Sequence, residues 1–212
     1  LNQTETHPSY IALDAWGKAL SEATDGRWSV QVFPNSTLGD QGEYLQSVST
    51  GVIDLAIVSA PQLENLQKDY VIFSLPKVFD SIEHQMKVLD DEAIVGEAYS
   101  SLEQSNNITV VGGVTQGARS VYTKDGPAET PAALAGKKIR VQESPVFISM
   151  INALGASPTP MAYGEVYTAL QSGVIDGAEN NEISYVTQKH YEVAPYYSYS
   201  RHLIGADFLI IN

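Results

Sequence analysis

The chain has 212 residues, 43% of them hydrophobic and 17% charged, and carries a formal net charge of −13. That composition belongs to an ordinary folded chain, one large domain or two modest α/β lobes. It argues against a nucleic-acid partner, which needs a basic face, and the longest apolar runs are far too short to span a bilayer. With no cysteine, disulfides, thiolate metal sites and cysteine nucleophiles are excluded. Only four arginines are present, Arg27, Arg119, Arg140 and Arg201, so a binding site for an anion must be built from few residues.

In chain order, Pro8 opens a helical pattern in which Ile11, Ala15, Ala19 and Ala23 recur until Gly26. Trp28 to Phe33 alternates as a strand. Residues 42–56 (GEYLQSVSTGVIDLA) return at 164–178 as GEVYTALQSGVIDGA, without a gap at an offset of 122. In both copies Gly-Glu opens a short amphipathic helix, a glycine ends it, and Val-Ile-Asp is read as the start of a buried strand. The repeat predicts two lobes that each contain one helix-to-strand unit.

Ser81 to Leu89, Glu92 to Leu102, Pro145 to Leu154 and Ser184 to Tyr191 read as helices. Ile108 to Val114, Ser120 to Thr123 and Ile139 to Gln142 read as strands, and Val193 to Asn212 as extended and rich in tyrosine. Such alternation predicts an α/β fold, parallel or mixed sheets flanked by helices. The lobe boundary is expected between Gly112 and Gly117, with a second crossing near Gly205. This gives residues 1–116 plus 205–212 as the first lobe and 117–204 as the second, hinged like a clamp.

No phosphate-cradling loop, nucleophile elbow or metal-binding His-Glu-x-x-His occurs. The four histidines have no metal-ligand spacing, so neither metal nor cofactor is expected; His7 stands out only because it lies in a loop near a possible cleft. Arg140, between Ile139 and Val141, is a strand arginine that either pairs with a buried acid or receives a ligand carboxylate through its fork. Arg119, after Gly117-Ala118, is either a cleft residue or a surface arginine. Both repeat copies aim their strand ends at one cleft, which makes Ser59 and Asn180 candidate polar contacts, although Asn180-Asn181 also suits a helix cap. Glu43, Glu165 and Glu179 are the acids available for acid-base chemistry, but no base-nucleophile pair accompanies them. Tyr163 sits at a strand-to-helix turn, placed to lid a pocket.

In order, the strings Phe33-Pro34, Gly51-Val52-Ile53-Asp54, Gly117-Ala118-Arg119, Gly136-Lys137-Lys138-Ile139-Arg140-Val141, Leu154-Gly155-Ala156 and Asp176-Gly177-Ala178-Glu179-Asn180-Asn181 resemble the solute-binding component of TRAP (tripartite ATP-independent periplasmic) transporters. The resemblance implies a two-lobed periplasmic-binding-protein fold, a monomer that closes on a small organic acid and hands it to a membrane permease. By the family pattern Arg140 takes the ligand carboxylate, Arg119 supports it, and Asn180 and Tyr163 contact the ligand body. Gln41 and Ser59 are the corresponding first-lobe contacts, and Glu43, His7 and Asn2 are added as further ligand-binding candidates. In sialic-acid binders the positions of Gln41 and Ser59 are acidic, and here they are not. The Glu-Asn-Asn string looks most like hexuronate-binding relatives, with C4-dicarboxylates, sialic acid or a sensory role as alternatives. Full-length members also carry a signal peptide, a first strand and C-terminal helices, so a longer gene product is expected.

Overall fold

The computed structural model describes residues 1–212. Its elements are α1 (Pro8–Ala23), α2 (Gln41–Ser49), β1 (Leu55–Ser59), α3 (Ala60–Leu63), α4 (Ile82–Leu89), α5 (Glu92–Asn106) and β2 (Thr109–Thr123). They continue as α6 (Pro131–Leu134), β3 (Lys138–Val141), α7 (Pro145–Ala153), β4 (Ser157–Pro160), α8 (Val166–Ser172), β5 (Gly177–Asn181), α9 (Glu182–Thr187) and β6 (Tyr196–Ile211). The six strands form one mixed sheet in the order β1-β6-β2-β5-β3-β4, antiparallel except where β3 meets β4 and β5.

The repeat is structural to the level of single hydrogen bonds. After α2 the amides of Val52 and Ile53 both donate to the Ser47 carbonyl, and after α8 those of Val174 and Ile175 both donate to the Ala169 carbonyl. Gly51 and Gly173 end the two helices at φ +73° and +77°, the left-handed conformation that glycine adopts without steric cost. The predicted strand start is corrected here. Val-Ile-Asp is the turn itself, and the strands begin one residue later, at Leu55 and Gly177. The copies differ at their helix starts. Asp40 and Glu43 form a reciprocal capping box on α2, whereas Ala162 has no capping side chain and the first turn, Tyr163–Glu165, is a 3-10 helix.

Three other expectations change. Residues 28–33 are not a strand here: no strand of this chain pairs with them, and Trp28 is 64% exposed. The two extended pieces predicted on either side of Gly117 are one strand. β2 runs unbroken for 15 residues beside β6, absorbing register shifts at Val110/Gly112, Thr115/Gly117 and Arg119/Val121; such bulges bend and twist a strand without ending it. The helix predicted to reach Tyr191 stops at Thr187, because Lys189 takes a left-handed φ of +56°.

The sheet carries separate cores. At one end Val48, Leu63, Leu102 and Ile108 pack with Phe208 of β6. Phe208 meets the rings of Tyr70, Phe73 and Tyr99 near edge-on at 5.3, 5.2 and 5.8 Å, a geometry that adds to simple burial. At the other end the adjacent β2 residues Val121 and Tyr122 point to opposite faces, as a two-residue period requires. Val121 joins Ile139, Phe147 and Ile151, and Tyr122 joins Val166, Leu170 and Ile175. Two rigid packings thus hang on two shared strands.

Close packing at the second end gives one stability prediction. A Cβ on Gly177 would lie 2.4 Å from the Tyr122 carbonyl oxygen and 2.9 Å from Thr123 Cγ2. Gly177→Ala is therefore expected to cost about 1–3 kcal/mol in urea unfolding, and an unchanged midpoint would show that β2 and β5 separate easily.

Candidate functional site

Between the two ends lies a cleft enclosing about 630 Å³ of space open to solvent, lined by 17 residues of which 3 are hydrophobic. So polar a lining suits a polyhydroxylated or charged occupant rather than an apolar one. Asn2, Gln41, Arg119, Arg140, Tyr163 and Asn180 line it.

Arg140 reaches the cleft because its strand neighbours Ile139 and Val141 are anchored in the core on the opposite face. Its Nε and Nη2 donate to the Met161 carbonyl at 3.1 and 2.8 Å. No carboxylate lies within ion-pairing distance of this guanidinium, and its Nη1 donates to no protein atom, although the residue is only 3% exposed. Burial depresses the pKa of the group, against the opposing influence of Glu179. The Tyr163 ring lies over the guanidinium, with 5.8 Å between Arg140 Cζ and the ring centroid. The fork's position is fixed and its outer edge is open.

Arg119 is different. Its Nε and Nη2 bind both oxygens of Glu179 at 2.7 and 2.6 Å, Nη2 also reaches the Glu179 carbonyl, and Nη1 donates to Gln116 Oε1. Arg119 is 1% exposed and Glu179 fully buried. Burial alone would raise the Glu179 pKa, but the charge of Arg119 and the contact from His202 Nε2 at 3.3 Å outweigh it and hold the carboxylate at about 2. The charge of Arg119 is therefore already met inside the protein, and one Nη1 hydrogen is left for anything in the cleft. One bare arginine, Arg140, thus stands beside a neutralised one.

Asn180 is buried, and its Oδ1 accepts from the amide and side chain of Asn181 at 2.9 and 3.1 Å. The Nδ2 donors find no protein acceptor, which leaves them for an occupant. The capping reading also holds, one residue further on. Asn181 Oδ1 accepts from the Ser184 amide and caps α9.

Three predicted contacts do not line the cleft. Ser59 is fully buried; its amide donates to Gln41 Oε1 at 2.8 Å, and its Oγ lies 3.0 Å from that oxygen and 2.7 Å from Gln142 Oε1. It positions the two glutamines that do face the cavity. Glu43 is exposed and spent on the α2 capping box. His7 caps α1, its Nδ1 accepting from the Ser9 amide.

Gln116, Gln142 and Asp207 line the cleft and were not singled out from the sequence. Gln142 lies two positions after Arg140, on the same face of an extended chain, so the strand period pointed to it. Asp207 interrupts the apolar run of β6 from Leu203 to Ile211, and a lone acid in such a run is itself a signal. Contacts also cross the cleft. Besides Ser59 with Gln142, Asn65 Nδ2 donates to the Glu143 carbonyl at 3.4 Å, and Gln3 Nε2 to Ser184 Oγ at 3.5 Å.

Residues 2–212 match DctP, the bacterial extracellular solute-binding protein family 7. The chain belongs to this family. A TRAP periplasmic solute-binding protein from Anaerococcus prevotii, solved with bound α/β-D-glucuronate, is 41% identical with a TM-score of 0.96, over 100% of this chain and 68% of that one. One from Xanthobacter autotrophicus, solved with bound β-D-galacturonate, is 37% identical with a TM-score of 0.94, over 99% and 70%. A solute-binding protein from Chromohalobacter salexigens is 38% identical over 97% of this chain. The chain spans 61% of the length of that last relative. The family match spans the whole α/β sheet with its flanking helices, and no helix here is long and apolar enough to cross a membrane.

Proposed function

We propose that the chain is the ligand-holding part of a periplasmic TRAP receptor that closes on a hexuronate, glucuronate or galacturonate, and delivers it unchanged to a membrane permease. The observation that carries this reading is Arg140, a buried guanidinium with no acid partner and a free edge in a polar cleft. Placing an unpaired charge there is costly unless an anion arrives to share it. The ligand carboxylate lies along the free edge of Arg140, with the spare hydrogen of Arg119 beside it. The Nδ2 of Asn180 and the polar ends of Gln41 and Gln142 meet hydroxyls, and the Tyr163 ring covers one sugar face. The sugar acids bound by the Anaerococcus and Xanthobacter proteins support the substrate class.

Closure follows from where these groups sit. Residues 1–116 with 205–212 form one lobe and 117–204 the other, joined by β2 and β6. A ligand touching both lobes favours the closed arrangement by its differential contacts. The receptor works as a monomer whose closed face the permease recognises.

A thermal-shift screen with hexuronates, C4-dicarboxylates, sialic acid and 2-oxoacids tests the proposal. A hexuronate at a hundred times its dissociation constant adds about 2.7 kcal/mol, a rise of roughly 5–10 °C for a chain of this size. No shift with any acid overturns the reading. Chemical conversion of the ligand on long incubation would favour an enzyme instead.

A further inference from the structure

Asp207 stands in the same cleft as Arg140, and binding of an anion gives no reason for it. It is 9% exposed, on β6, opposite Val114 of β2 and Ser59 of β1. The protein offers it a single hydrogen bond, from Gln116 Nε2 to Oδ1. Gln116 is held from its other end by Arg119, which donates to its Oε1 at 2.7 Å. That bond fixes which end of the amide faces the acid, so Asp207 meets an N–H and its Oδ2 is left as an unpaired acceptor. Gly205 preserves the bridge, because a Cβ there would lie 2.6 Å from Gln116 Oε1.

From this geometry we infer that Asp207 is a specificity-determining residue: it accepts a hydrogen bond from a ligand hydroxyl and rejects ligands that carry a second carboxylate at the end away from Arg140. The inference rests on the proposed hexuronate reading and deepens it. A buried acceptor left open is expensive when nothing donates to it, and a carboxylate cannot donate. Two carboxylates brought together in a site sheltered from water repel strongly. The pyranose of a hexuronate carries a neutral anomeric hydroxyl at C1 that can donate a hydrogen bond, whereas the aldarate of the same sugar is open-chain and carries a second carboxylate at that carbon. Asp207 reads the charge at that carbon, and Arg140 does not.

The charge of Asp207 is itself poised. Burial lifts its pKa to about 6, against the Gln116 hydrogen bond and the charge of Arg119. The other ionisable groups lining the cleft are Arg140, Tyr163, Asp40 and Glu143, with Glu179 behind Arg119 and Tyr44 of α2 close enough to feel the charge of Asp207. Near pH 5 the acid is mostly neutral, whereas both ends of an aldarate remain ionised. Discrimination against the aldarate therefore weakens on acidification.

The test is calorimetric titration of wild-type protein and Asp207→Asn with D-glucuronate, D-galacturonate and the corresponding aldarates, glucarate and galactarate. The wild type is expected to prefer uronate over aldarate at least a hundredfold at pH 7.5, and the variant to narrow that ratio at least tenfold. The same narrowing is expected for the wild type at pH 5, an arm that needs no folded variant. An unchanged ratio in the variant, or in the wild type across that pH range, overturns the role of Asp207 while leaving the hexuronate reading intact. Failure of the wild type to bind either uronate overturns both.

Discussion

On the proposed hexuronate reading, Arg140→Lys is expected to lower affinity about a hundredfold in calorimetric titration, although the formal charge is kept. Arginine spends Nε and Nη2 on the Met161 carbonyl and still presents its outer edge to the cleft. A lysine has one nitrogen at the end of a flexible stem. It either holds Met161 or reaches the ligand, and it cannot offer two parallel donors in a fixed plane. Losing one charge-assisted hydrogen bond costs about 1.5–3 kcal/mol, which is a factor of ten to more than a hundred in the dissociation constant. The position of the guanidinium over the Tyr163 ring is lost with it. Binding within threefold of wild type would place the ligand carboxylate elsewhere.

Glu179→Gln acts on the fold. It leaves Arg119 buried without its counter-charge, and breaking a buried pair from one side costs about 3–5 kcal/mol. For a chain of this length the melting temperature falls by roughly 6–20 °C. The pH dependence of the wild type has a definite sign. Because the folded pKa of Glu179 is held at about 2, below the ordinary glutamate value of 4.5, its stabilisation is present above pH 4.5 and is lost as pH falls toward 2. Asp207 works the other way, its folded pKa being raised from 3.8 to about 6. It favours the folded state below pH 3.8 and loses that contribution as pH rises through 6. Acid unfolding in the variant should start from a lower plateau and lack the step below pH 4.5; an identical profile would remove Glu179 from the acid response.

What the sequence disclosed follows the reach of local rules. The repeat at 42–56 and 164–178 was legible because the same Gly-terminated helix needs the same residues in both places, and the shared hydrogen bonds to Ser47 and Ala169 answer it. Arg140 was visible as a charge among apolar strand residues, and the structure removes the alternative of a buried acid partner. The partner of Arg119 was not legible. Arg119 and Glu179 are 60 residues apart and meet only because β2 and β5 pair antiparallel. Trp28 to Phe33 misled for the complementary reason: alternation states which faces differ, and a strand also needs a neighbour to bond. Ser59 was placed on the correct strand end but turned inward, a distinction that depends on Gln41 and Gln142 arriving from elsewhere in the chain.

The course of β6 has a consequence for how the molecule comes into being. The first core, built mainly by residues before 111, is closed by Ala206, Phe208 and Ile210. Helices α2 to α5 can therefore form early, but their apolar faces remain open until almost the whole of this chain has been synthesised and β6 has threaded between β1 and β2. Contacts of such long sequence separation slow folding and prolong exposure of sticky surface. A ribosome-stalled chain ending at residue 195 should be captured by chaperones and cut by protease across the first half more readily than one that includes β6.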